Sequence, residues 1–172
     1  MELDPLTSPD GPGWTLIHAR QFDAALSEAR IRVEAQPNNA DVHALLSAAY
    51  LFKGMEKESE QESERNLQIM GENELAAQEE RAFRRGGFHA TLEWNLSVYR
   101  QRATKRYVSP IVFAISYAQL RRKEETLRYL EQAYEEHAPD MVWVQGFPDF
   151  DFVHPEPRYR AIIKKMGLPP AY

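Results

Sequence analysis

The side chains best able to do chemistry here are carboxylates, arginines and histidines, and their spacing decides what each can do. Glu56, Glu58, Glu60, Glu62 and Glu64 form an alternating acidic run. Two carboxylates on one face would suit general acid–base work or cation binding. Alternate residues of a helix point in different directions, however. The run therefore reads as one solvated helix with Lys57 and Arg65 as local partners. His18, His43, His89, His137 and His154 are scattered, with no pair four apart and no HExxH, so they read as surface or internally satisfied residues. His137 follows Glu135-Glu136 at an expected helix C-terminus, where a cation favours the dipole. The chain has no cysteine, which removes disulfides, thiolate catalysis and cysteine-ligated metals. None of GxGxxG, GxxxxGK[ST] or GxSxG occurs. The expectation is a protein without cofactor or metal that is not an enzyme.

The basic residues cluster. Arg81, Arg84, Arg85, Arg100, Arg102, Lys105 and Arg106 fall in one expected helix pair, with Trp94, Tyr99 and Tyr107 among them. Glu79, Glu80 and Glu93 dilute the charge, so a charged outer face is the simpler reading. The functional reading is contact with an acidic peptide or nucleic acid, and the net charge of −5 argues against nucleic acid. Gly86-Gly87 after two arginines has the makings of an anion nest but reads more simply as a helix break. Trp143, Phe147, Phe150 and Phe152, with Asp149 and Asp151, form an aromatic, acidic tail. A cap folded over the last helix pair explains it better than an exposed docking motif.

The elements that must position these residues recur. A length of 172 residues suits one domain able to bury a core, with 43% hydrophobic and 27% charged residues. No apolar run is long enough to span a bilayer, and residues 1–13 lack a signal-peptide pattern, so a cytoplasmic location is expected. Ala25 and Ser59 lie 34 residues apart, as do Pro37 and Gly71, and the segment Leu46–Tyr50 reappears as Phe113–Tyr117 after 67 residues. A period near 34 is that of a helix–turn–helix repeat. Apolar spacings of three and four predict helices over Phe22–Ala35 and Ala40–Phe52, then Met55–Met70, Glu74–Arg85 and His89–Lys105. Pro110–Leu120, Glu124–Glu136 and Pro157–Met166 follow. Pro37, Gly54 and Gly71 punctuate them, and Ser109-Pro110 is a start signal. Only Met141-Val142-Trp143-Val144 reads as a short extended segment.

These residues resemble the tetratricopeptide repeat family. Ala40–Gly71 fits best, with Leu46, Ser47, Tyr50, Gly54 and Gly71 in place and Ser59 where alanine is usual. Trp14–Pro37 matches through Phe22, Ala25 and Pro37, and Pro110–Ala138 through Tyr117, Leu130 and Ala133. The repeat from Glu74 departs from the pattern, with Glu80 where an apolar residue is expected. More narrowly, several blocks resemble the C-terminal repeat region of bacterial multidomain proteins, where it follows a winged-helix or protein kinase domain. They are Leu3-Asp4-Pro5-Leu6, Lys53-Gly54-Met55, Arg84-Arg85-Gly86-Gly87, Arg106–Pro110, Tyr134-Glu135-Glu136, Phe147–Val153 and Met166–Pro169. In that resemblance Leu3-Asp4-Pro5 looks like the end of a preceding repeat, so Met1 is expected to open a fragment or a shortened relative.

The resemblance implies an all-α right-handed solenoid of stacked antiparallel helix pairs. One domain is expected over 1–172, with repeats at about 13–37, 40–71, 74–105 and 109–138, and a capping segment and helix at 139–172. Such stacks present a concave surface lined by the first helix of each pair. Helical spacing puts Asp41, Ala44, Ala48 and Leu51 there, then Leu75, Gln78, Ala82 and Arg85, then Val108, Ile111, Ile115 and Ala118. The expected function is binding of a partner's amphipathic segment, with Arg85 pairing an acid. The Lys/Asn/Arg set that clamps a C-terminal carboxylate in some relatives is missing from this face. The rival expectations are a small-ligand-sensing or self-assembling regulatory domain of a larger bacterial protein, with self-assembly through the N-terminal edge.

Overall fold

The computed structural model describes residues 12–169. The opening Leu3-Asp4-Pro5-Leu6 and the last three residues lie outside them. The described chain is all-helical, with no strand among the described residues. Its helices are α1 (Pro12–His18), α2 (Phe22–Ala35), α3 (Ala40–Phe52), α4 (Glu56–Ile69), α5 (Asn73–Ala103), α6 (Pro110–Gln119), α7 (Lys123–Glu135) and α8 (Pro157–Lys165). Two 3-10 turns, Pro139–Trp143 and Pro148–Val153, separate α7 from α8. None of these helices is long and apolar enough to cross a membrane.

Local chemistry sets the boundaries. Asn39 caps α3 by accepting from the Asp41 amide, and Ser109 caps α6 by accepting from the Ile111 amide, with Pro110 at the first helical position. The helix ends repeat more regularly than the letters do. Arg20, Gly54, Gly87 and Arg121 all have positive φ, at intervals of 34, 33 and 34 residues. At three of them the same reversal bond closes the helix end: Gln21 N to Leu16 O, Met55 N to Tyr50 O and Arg122 N to Tyr117 O, at 2.8–2.9 Å. Two of the four are arginines, and a sequence search for glycine misses them.

Contacts divide the chain into two units, residues 1–91 and 92–172. In the first, α2 packs on α1 and α3, α3 packs on α4, and α1 also touches α3. Its core holds Ile17, Leu26, Leu45 and Leu46 around the small Ala25, Ala29 and Ala49. Each large side chain fully buried in this way contributes about 1.5–3 kcal/mol. Small residues let the helices approach: Ala25 is fully buried, and the Ser59 backbone carbonyl accepts from the Ser47 hydroxyl at 2.8 Å. Gly13 sits so close to α3 that a Cβ there would lie 2.4 Å from Leu45 Cδ2.

Helix α5 is broken. Gly86 and Gly87 have non-helical angles, and Gly87 (φ 63°, ψ −159°) takes a conformation open only to glycine. Glu79 and Thr91 stand on opposite sides of the break. In a straight helix they would be about 18 Å apart. Yet Glu79 accepts from Ser63, and Thr91 bonds Glu60, less than one turn away on α4. The chain therefore reverses at Gly86-Gly87, and Glu79 and Thr91, on either side of the break, both meet α4.

In the second unit, α6 packs on α7, α7 on α8, and the second 3-10 turn on α6. Phe150, Val153, Val144 and Tyr159 are fully buried with Leu130 and Ile162. Tyr129 stacks on Phe113 and Tyr117, with ring centroids 4.9 and 5.4 Å apart. The segment expected to be extended, Met141–Val144, is instead a 3-10 turn and its exit. Pro139 at its first position fixes φ, and the Met141 and Val144 amides bond back three residues.

Candidate functional site

The expected partner-binding residues separate by element and by burial. On α3, Asp41 is exposed, and Ala44, Ala48 and Leu51 are half-buried. Asp41 lies in the first turn, where its charge suits the dipole. On the first arm of α5, Leu75 and Gln78 are half-buried, Gln78 donating to Glu74 at 2.9 Å, and Arg85 is exposed. Ala82 is buried. In the second unit Val108 and Ile115 are half-buried. Ile111 and Ala118 are 2% and 1% exposed, inside the core beneath the 3-10 turns and α8. Ile111, Ala118 and Ala82 therefore offer no open surface. Helical spacing alone put them on one face; Ile111 and Ala118 are closed by the later core residues they pack with.

The basic cluster is partly neutralised and divided between the units. Arg84 pairs with Glu80 at 2.5 Å, and Arg81 reaches Glu74 at 3.9 Å. Arg100 donates to the Tyr117 hydroxyl at 2.6 Å, and Arg122 pairs with Glu93. Much of the cluster thus serves local structure.

His43 is a satisfied interior histidine. It is 5% exposed, with Nδ1 2.6 Å from Glu62 and Nε2 3.0 Å from the Pro37 carbonyl. His137 closes α7 with Nδ1 3.1 Å from the Glu135 carbonyl. No group of three or more His, Cys, Asp or Glu among the described residues is arranged to hold a metal ion.

The acidic run on α4 departs from the reading as a wholly solvated helix. Glu60 is 5% exposed, and Glu79 on α5 is 3% exposed. Ser63 Oγ lies 3.1 and 3.2 Å from the two Glu79 carboxylate oxygens. Oε1 of Glu60 is sealed from water and has no hydrogen-bond partner. Burial, first of all, and then the neighbouring Glu79 and Glu64 push the Glu60 carboxyl up to about 8. Of the expected partners, Arg65 donates instead to Asn38. The sequence carries one sign of this buried side. Ser59, Ser63 and Leu67 recur every four residues, and Glu60 adjoins that stripe.

The aromatic tail caps the second unit. Phe150 is fully buried, and Phe147 and Phe152 pack against the same core. Trp143 stays 50% exposed. Asp149 accepts from Gln119 on α6 at 3.1 Å, and burial pushes its carboxyl up to about 6. Arg158 on α8 grips Glu131 on α7 with two bonds, at 2.8 and 2.6 Å, which holds the Glu131 carboxyl below the usual range.

No protein-family model, curated protein or solved structure matches the chain.

Proposed function

We propose that this chain is a non-catalytic interaction module of the tetratricopeptide type. Its partner is an amphipathic protein segment, taken up on first-helix faces. The observation that carries the reading is the α3 face of the first unit. Ala44 and Ala48 are small, half-buried and separated by one turn, with Leu51 beyond them and Asp41 exposed at the start. Small side chains leave room for a helix or extended segment to approach, and partly covered apolar groups gain from its arrival. The regular left-handed ends at Arg20, Gly54, Gly87 and Arg121 support the repeat architecture that such a face requires. Leu75 and Gln78 on α5 extend the proposed surface, and Arg85 supplies a cation for an acidic residue of the partner. Ile115 is the corresponding candidate in the second unit.

The test is capture from a lysate of the source organism on immobilised full-length chain, with Ala44→Arg as the control. The arginine fills the face and leaves the core residues of α3 in place. A protein retained by wild type and lost by the variant, at unchanged melting temperature, supports the proposal. A synthetic segment of that protein is then titrated calorimetrically to confirm direct binding. Equal retention on both chains overturns the face.

A further inference from the structure

The contact of α4 with Glu79 and Thr91, on either side of the break in α5, is built around acid groups. Glu60 and Glu79 are each more than nine-tenths buried. From α4, Glu64 faces Glu60 along the same helix; from α5, Glu79, Glu80 and Thr91 face it. Glu80 is held by Arg84. From α3, the charge-bearing contact to α4 is His43 on Glu62, and α3 meets Ser59 through Ser47. No lysine, arginine or histidine among the described residues forms an ion pair with Glu60. A carboxylate in this place would hold a full charge beside another buried acid, with one oxygen lacking any donor. Buried charge without a partner is costly, and the group escapes that cost by keeping its proton.

We propose that Glu60 is a pH-sensitive latch: as a neutral acid it lets α4 hold the arm of α5 that precedes the break, and as a carboxylate beside Glu79 it loosens that arm. Three placements carry this. Thr91, whose bond to Glu60 favours the carboxylate and so persists when Glu60 ionises, lies four residues beyond Gly87 and leans on the Gly87 carbonyl at 3.5 Å. Glu79, whose charge opposes that of Glu60, lies on the arm before the break. The reversal between them is a glycine pair with no side chain to brace it. Ionisation therefore acts where the chain turns, and the arm bearing Leu75, Gln78 and Arg85 is the part released.

The sign follows from the direction of the shift. The folded-state value, about 8, is above the ordinary carboxyl value of 4.5. The contribution to stability is fully present below about pH 4.5 and is lost as pH rises through about 8. Across that window the unfolding constant of the first unit rises by up to about tenfold per pH unit.

The experiment uses the full chain. Urea unfolding is followed through the amide signals of Ala76 and Thr91 between pH 4.5 and 8.5, in wild type and Glu60→Gln. The Glu60 carboxyl carbon is titrated by NMR in wild type and Glu79→Gln. The expected result is a wild type that weakens with rising pH and a Glu60→Gln chain that lacks this slope. The Glu60 carboxyl should titrate above pH 7 in wild type and at lower pH in Glu79→Gln. Equal slopes in wild type and Glu60→Gln overturn the latch, and so does a Glu60 titration near pH 4.5. If Glu60→Gln does not fold, the carboxyl titrations decide alone.

Discussion

At the scale of single residues, this protein places acids where charge is hard to keep. Glu60 is the clearest case and Asp149 the second. Asp149 lies in the second 3-10 turn, and its carboxyl accepts from Gln119. Burial raises it to about 6 from 3.8, with the Gln119 bond and Arg121 pulling the other way. The raised folded value means that its contribution is complete below about pH 3.8 and is lost as pH passes through about 6. Asp149→Asn keeps an acceptor for Gln119 and has no charge to bury. We therefore expect thermal melts of the second unit to weaken from pH 4 to 6.5 more steeply in wild type than in Asp149→Asn. Parallel profiles would refute the assignment. Neither acid announces itself in the sequence. Glu60 stands in a run of five alternating glutamates that reads as solvated surface, and the approach of Glu79 and Thr91 distinguishes it from Glu56 or Glu58.

At the scale of elements, the helix ends carry the organisation. Gly87 is the position where the requirement on the backbone is strictest. Its φ of 63° and ψ of −159° are closed to a side chain, although a Cβ there would meet nothing within 4 Å. Gly87→Ala is thus a test of backbone strain without collision. It should cost about 1–3 kcal/mol, measured by urea unfolding, and should weaken the Glu60–Thr91 contact first. A neutral effect would mean that the reversal at Gly86-Gly87 is not set by glycine. Much at this scale was legible beforehand. Helices α2 and α3 have the bounds that Phe22, Leu26, Ala29 and Val33, then Pro37 and Gly54, predict, because capping and turn signals act within a few residues. Met141–Val144 was not legible. Its β-branched, aromatic letters suggest an extended segment, and Pro139 with the pull of the core on Met141 makes a 3-10 turn. Ile111 and Ala118, 2% and 1% exposed, were not legible as core for a related reason. Their own helix cannot tell which side the chain will cover some thirty to fifty residues later.

At the scale of the whole molecule, two units each have a core of their own, and the proposed binding surface of the first is the part that later sequence leaves open. Ala44, Ala48 and Leu51 keep partial access to solvent, whereas Leu45, Leu46 and Ala49 on the same helix are closed. That division of α3 into a covered and an uncovered side is what the interaction reading rests on. It was visible in the letters as helical spacing, and the structure separates the residues that spacing alone had grouped together. The most direct measurement is amide hydrogen exchange on the full chain, alone and with the captured partner segment. New protection is expected in residues 41–51 and 75–85, with the two 3-10 turns unchanged. Protection confined to the 3-10 turns around Trp143, or none on α3, would contradict the interaction reading.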